Sequence, residues 1–219
     1  MAKKESKTVS MSPVDAVRHL TKVDAKMASV IKKVGVCSLK KNRGGFDKLV
    51  RIVIGQQLSM KAADTIYKRV CDLAGGRTIS LEKAKKLADG KLREAGLSRS
   101  KLIAVRDLID KIEGKLVDID SLPKLSDKDI EAQITQVKGM GVWTAQMYLM
   151  FVLNRPDVFP SNDLGIRTAM TRMYGTNGDH AELEQIADKW RPHRTIASWY
   201  LWQSLNIVDP AKTPSKKSR

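Results

Sequence analysis

Apolar residues return every three or four positions along most of the chain, the spacing of helices that bury one face. In residues 13–34 they fall at Val14, Val17, Leu20, Val23 and Met27, which predicts one helix with a single apolar side. From 47 to 71 the pattern resumes at Leu49, Val50, Val53, Ile54 and Leu58, then Ala62, Ala63, Ile66 and Val70, and Gly75-Gly76 stops it. Ser80 caps LEKAKKLADG, with Glu82 in the first turn and Gly90 at the end. Ser98 or Ser100 starts the next helix, which Gly114 ends, and Ser126 caps DKDIEAQITQV. Further helices are predicted from Val142, from Asp163 or a neighbour, over 182–190 and over 196–205. No strand pattern of comparable strength appears. The expected fold is all-α, with roughly ten short helices.

With 219 residues, 42% of them hydrophobic, the chain can bury a real core, as one large domain or two small ones. The formal charge of +16 changes the picture more: it calls for nucleic acid, an anionic membrane surface or an acidic protein as partner, or it only keeps the chain soluble. No run reaches the ~18 apolar residues of a spanning helix, and no export signal is visible, so an intracellular protein with no membrane partner is expected. The longest apolar stretch, 148–153, suits a buried helix. Cys37 and Cys71 lack metal-ligand spacing and read as reduced core thiols. The polar ends, 1–10 and 211–219, read as disordered tails, with a loose electrostatic arm as second choice.

Candidate chemistry begins with QVKGMGVWTAQ, residues 136–146. Gly139 and Gly141 allow a tight reversal with positive φ and close backbone approach. The helix that starts at Val142 would then aim its first amides out of a basic turn, where they bind anions such as phosphate. On Gly-x-Gly alone a plain turn between two helices is the better account, and the flanking residues tip the reading the other way.

This stretch resembles the helix-hairpin-helix motif. With SNDLGIR at 161–167 and LVRIVIGQQLSMKAADTIYKRV at 49–70, in the same order and at family-like spacing, the chain resembles the helix-hairpin-helix-GPD superfamily of DNA glycosylases over roughly residues 49–205. It is most similar to the 3-methyladenine DNA glycosylase II type, the AlkA and yeast MAG group, in a compact form without an extra N-terminal β domain. The resemblance implies two helical subdomains with a cleft between them and the hairpin at the junction. One would be a contiguous bundle over 46–137, the other 11–45 plus 138–209 with the hairpin and Asp163.

It also implies roles. Bifunctional members carry a lysine where this chain has Trp143, two residues past Gly141, so a monofunctional enzyme without lyase activity is expected. Asp163 matches the essential aspartate. Base–sugar cleavage passes through an oxocarbenium-like state, which a fixed carboxylate stabilises, and amides at a helix start favour an anion there. Read by itself, an Asp after Pro-Ser-Asn is an ordinary N-cap.

A base flipped from the duplex would stack on Trp143 and Trp202, with Met147 where the AlkA pattern has tyrosine, while Trp199 and Tyr200 read as core. Gln56, Gln57 and Leu58 would fill the gap left in the DNA, Gln57 standing where AlkA has a leucine. The amides of Gly139, Gly141 and Thr144 would face a phosphate, with Lys138, Lys61 and Arg167 as further contacts. The carbonyls of Thr135, Val137 and Met140 would hold a structural Na+ or K+. No cofactor is expected for catalysis, and two cysteines cannot carry an iron–sulfur cluster.

The expected partner is double-stranded DNA with alkylated bases, met by a monomer in a bacterial cytoplasm, at the nucleoid, or in a nucleus. The expected reaction is hydrolysis of the N-glycosidic bond of 3-methyladenine and 7-methylguanine, leaving an abasic site. The alternatives are a non-catalytic helix-hairpin-helix DNA-binding repair protein, or a glycosylase for hypoxanthine, ethenoadenine or uracil.

Overall fold

A computed structural model describes residues 12–39 and 45–207. The predicted tails, 1–10 and 211–219, lie outside the described residues. Among those described there are twelve α-helices and two 3-10 turns, and no strand. They are α1 (Pro13–Val23), α2 (Ala25–Val34), α3 (Phe46–Gly55), α4 (Met60–Leu73), α5 (Leu81–Lys86), α6 (Asp89–Glu94), α7 (Arg99–Glu113), α8 (Asp127–Ile134), α9 (Val142–Phe151), α10 (Leu164–Tyr174), α11 (His180–Ala187) and α12 (Arg194–Ser204). No described helix is long and apolar enough to cross a membrane.

The chain divides into two compact units, whose described parts are 45–154 and 12–39 with 155–207. In the first, α3 packs against α4, α7 and α9, and α9 also packs on α8. Leu49, Val50, Val53 and Ile54 of α3, Leu108 of α7, and Tyr148 and Met150 of α9 are buried in it. Because α9 packs on α3 and α8, the unit continues through the hairpin to Asn154, past the boundary at 137 that the resemblance implies. In the second unit α12 packs on α1, α2 and α10. Its core holds Leu20, Met27, Phe159, Met170, Trp190 and Tyr200.

Most helix starts follow from local chemistry. Ser80, Ser98 and Ser126 each accept a hydrogen bond from the backbone N–H three residues on, at 3.2–3.3 Å. Two expectations about helix bounds fail. Residues 13–34 form two helices rather than one, because Asp24 turns its side chain back on the chain and accepts from the amides of Lys26 and Met27, both at 3.0 Å. Its other oxygen accepts from the Tyr174 hydroxyl, the Trp190 indole and the Lys189 ammonium. Burial alone would raise this carboxyl, but the Met27 amide and those three donors hold it below its ordinary value. Gly90 does not end a helix: α5 stops at Lys86, and Gly90 lies inside α6. Cys37 and Cys71 are buried free thiols, both pushed up by burial and so poorly reactive.

Candidate active site

In the first unit the hairpin joins α8 to α9. Only Gly139 is left-handed, with φ +78°; a Cβ there would come within 3.2 Å of the Ala104 methyl on α7. Gly141 is extended, φ −101° and ψ −172°, so the second glycine is not needed for its φ. A side chain on it would project into open space, the space an incoming phosphate would need. The α9 helix therefore begins with an unobstructed N-terminus.

Thr144 does not match the expectation. Its amide donates to the Gly141 carbonyl at 2.9 Å, and its hydroxyl accepts from Gln56. Thr144 braces the turn from inside and is 1% exposed, so it does not offer an amide to phosphate in this conformation. Lys138 is exposed, but its amide donates to Asp107 at 2.8 Å and its ammonium lies 3.8 Å from the same carboxylate. Lys61 is exposed on α4.

Gln56 departs furthest from its expected role. Its side-chain N–H donates to the Gly139 carbonyl at 3.0 Å and to the Thr144 hydroxyl at 3.1 Å. It is a strut between the α3–α4 turn and the hairpin, not a wedge. The turn is fixed from the other side by Lys101, which donates to the Ile54 carbonyl at the end of α3 at 2.8 Å. Gln57 and Leu58 stand exposed at the tip. Gln57 is left-handed, φ +57°, a conformation that costs a non-glycine residue about 1 kcal/mol.

Two outcomes follow. Gln56→Ala removes two hydrogen bonds and should speed amide hydrogen exchange at 138–142 and weaken duplex binding about tenfold at most; unaltered exchange would contradict the strut. Gln57→Gly should stabilise the fold by roughly 1 kcal/mol, seen in thermal melts, while lowering the preference for a lesion over undamaged duplex. A fall in both would contradict a strained tip kept for DNA.

Beside this turn a cavity of about 520 Å³ opens between α3, α4 and α9, with Trp143, Met147 and Phe151 along one side at successive four-residue steps. Met147 is buried in the pocket wall, 5% exposed, while Trp143 is half-buried. Leu58 and Met60 also line it, and Met60 is 85% exposed at the start of α4. Tyr148 faces away, fully buried, its hydroxyl pushed up to about 12 by burial and then by the charge of Asp47.

In the second unit Asp163 is the N-cap of α10. One carboxylate oxygen, Oδ1, accepts from the Ile166 amide at 2.9 Å and from the Trp202 indole N–H at 2.8 Å. So the predicted pocket tryptophan touches the predicted catalytic carboxylate, edge on. Gly165 makes this contact possible. A Cβ at 165 would fall 2.9 Å from Trp202 Cδ1, 3.0 Å from its nitrogen and 3.1 Å from Asp163 Oδ1.

The start of α12 is anchored by Asp157, which accepts from Arg194 at 2.8 Å and Arg191 at 2.6 Å. Burial alone would raise the Asp157 carboxyl, but the two guanidiniums hold it below its ordinary value. Tyr200 is buried as expected, and Trp199 packs edge on against it at 4.9 Å between ring centres. Arg167 is exposed on α10 one turn past Asp163.

A glycine-lined helix start, an aromatic pocket beside it and an N-cap aspartate on a later helix are thus present in the order the sequence predicts. The HhH-GPD family model, described as "HhH-GPD superfamily base excision DNA repair protein", matches residues 50–193. The chain belongs to the HhH-GPD superfamily. It is 30% identical to DNA-3-methyladenine glycosylase 1 of Schizosaccharomyces pombe over 95% of this chain and 94% of that protein. Its fold matches the crystal structure of a DNA-3-methyladenine glycosidase from Bacillus halodurans, with TM-score 0.74, 32% identity and 90% of each chain covered. It also matches the Schizosaccharomyces pombe 3-methyladenine DNA glycosylase in complex with abasic DNA, with TM-score 0.80 and 28% identity, covering 89% of this chain and 98% of that one.

The HhH-GPD match takes in the hairpin, Asp163 and Gly165, whereas Trp202 lies beyond it. Three residues here escape sequence reasoning. Gly165 is a helical glycine two residues after Asp163, a position where glycine is disfavoured without a packing reason, and that anomaly is the available signal. Met60 is an apolar residue directly after a Ser cap, and so a candidate for exposure. Asp157 carries no local signal, since its partners lie 34 and 37 residues away.

Proposed function

We propose that the chain is a monofunctional DNA glycosylase that hydrolyses the N-glycosidic bond of alkylated purines, 3-methyladenine and 7-methylguanine, in double-stranded DNA. The observation that carries this reading is the Asp163 carboxylate, fixed by the Ile166 amide and the Trp202 indole on a helix start. The base would leave with the electrons of the breaking bond. Positive charge then develops on the sugar, where a preorganised carboxylate stabilises it. Water adds at the anomeric carbon and gives its proton to solvent, leaving free base and an abasic site. A base alkylated at N3 or N7 is cationic and leaves as a neutral molecule, so no strong general acid is needed.

The pocket of Trp143 and Met147 supports an aromatic, polarisable seat for such a cation, of order 0.5–2 kcal/mol per good ring contact. The open start of α9 supports a phosphate contact through the hairpin amides, and the charge of +16 supports salt-dependent scanning of DNA. A Na+ or K+ on the carbonyls of Thr135, Val137 and Met140 would strengthen that contact. These are hard oxygen donors in the turn after α8, and although the Val137 carbonyl accepts from the Met140 amide at 3.0 Å, its second lone pair remains for an ion.

Trp143 offers no amine, so borohydride should trap no covalent protein–DNA complex and the strand should stay intact until alkali is added. A trapped complex would overturn the monofunctional reading.

A further inference from the structure

The cavity beside Trp143 has charged as well as aromatic walls. Lys48, Arg51 and Asp64 line it. Arg51 Nη2 lies 2.5 Å from Asp64 Oδ1, and its guanidinium sits over the Tyr67 ring at 5.2 Å. Lys48 Nζ lies 3.3 Å from Asp47 Oδ2, the oxygen that also accepts from the Tyr67 hydroxyl at 3.3 Å. Each of the two cations on this wall therefore has a carboxylate beside it, in a chain whose net charge is +16. The excess that draws DNA in works against a base that is itself positive. In a space of 520 Å³, whose equivalent sphere has a radius of about 5 Å, an unbalanced guanidinium on the wall would act on such a base near contact range.

We propose that Asp64 is a specificity-determining residue: by cancelling Arg51 on the pocket wall, it lets the site accept a positively charged base. This rests on the reading of the cavity as the base pocket. Asp64 touches neither the sugar nor the departing bond, so it is not a catalytic residue. Its influence falls on binding. Before cleavage the positive charge is on the base; as the bond breaks, the charge passes to the sugar and the base becomes neutral. Removing Asp64 should thus weaken binding of the cationic base without slowing the cleavage step of the bound substrate.

The experiment compares two duplexes of one sequence at one salt concentration. One carries 7-methylguanine on a 2′-fluoro sugar, which keeps the cation and resists cleavage; the other carries a tetrahydrofuran abasic analogue, which puts no base in the pocket. The ratio of their dissociation constants removes the general attraction to phosphate. Asp64→Asn should raise that ratio about fivefold against the cationic duplex, a modest shift because the pair is partly exposed and screened. Arg51→Gln should move it the other way, and the double variant should return it near the parent value. Opposite signs on two conservative changes are not the signature of general damage to the fold.

Variants that shift both duplexes together, or leave the ratio in place, overturn the proposal while the glycosylase reading stands. A parent protein that releases no alkylated base from methylated DNA overturns that reading, and this proposal with it.

Discussion

Asp163→Asn should lower release of alkylated bases by about a hundredfold or more, roughly 2.7 kcal/mol or above in the barrier, while the protein folds and binds duplex DNA much as before. The geometry makes this substitution unusually clean. Asparagine is as good an N-cap as aspartate. Its side-chain oxygen can still accept from the Ile166 amide and the Trp202 indole, the two donors that fix Oδ1 now. What disappears is the negative charge, which on the proposed mechanism stabilises the positive charge that builds on the sugar. Asp163→Ala is a poorer test, because it also removes the cap and frees Trp202, at a stability cost of about 1 kcal/mol for the cap alone. Single-turnover release from methylated duplex, with duplex affinity measured alongside, separates the two effects. A mutant that keeps full activity would remove Asp163 from the chemistry.

Gly165→Ala should lower base release by about tenfold or more, although on local grounds it ought to be benign. Gly165 is helical, and alanine in a helix gains up to roughly 1 kcal/mol over glycine. The added methyl, however, would stand 2.9 Å from the Trp202 ring and 3.1 Å from Asp163 Oδ1. Neither neighbour can give way without loss. The indole is half-buried on α12, whose start is fixed by Asp157 and Arg194, and the carboxylate is tied to the Ile166 amide. The 2.8 Å indole–carboxylate bond should break, turning both groups away from their present directions. Gly90→Ala is the matched control, since nothing lies within 4 Å of its would-be methyl and α6 should gain roughly 0.5–1 kcal/mol. Thermal melts and base release on both variants decide it. If Gly165→Ala is as active and as stable as Gly90→Ala, the contact has no functional weight.

What the sequence makes legible here is what depends on near neighbours. Ser80, Ser98 and Ser126 each cap a helix through an amide three residues on, so the order of residues contains the whole interaction. Asp163 and the helix it starts are legible on the same ground, and Gly141 with Val142 marks the next helix start. Asp24 obeys the same chemistry but lies inside an unbroken apolar repeat, which hides its break; the decisive partners, Tyr174 and Trp190, are 150 and 166 residues away.

Gln56 shows the same limit on the functional side. Its two acceptors lie 83 and 88 residues along the chain, and two adjacent glutamines look alike until one is seen tied to the hairpin and the other left exposed. Trp202 and Asp163 are both legible as candidate site residues, yet the bond between them is not, because nothing local says which edge of an indole meets which oxygen.

The most direct test is to incubate the protein with duplex DNA treated with a methylating agent and to identify the free bases by mass spectrometry, beside a reaction with Asp163→Asn. The account predicts free 3-methyladenine and 7-methylguanine from the parent protein, almost none from the variant, and an intact strand that alkali then cuts. Tight, salt-sensitive binding with no base released by either protein would contradict it and leave a helix-hairpin-helix protein that holds DNA without cutting the base–sugar bond.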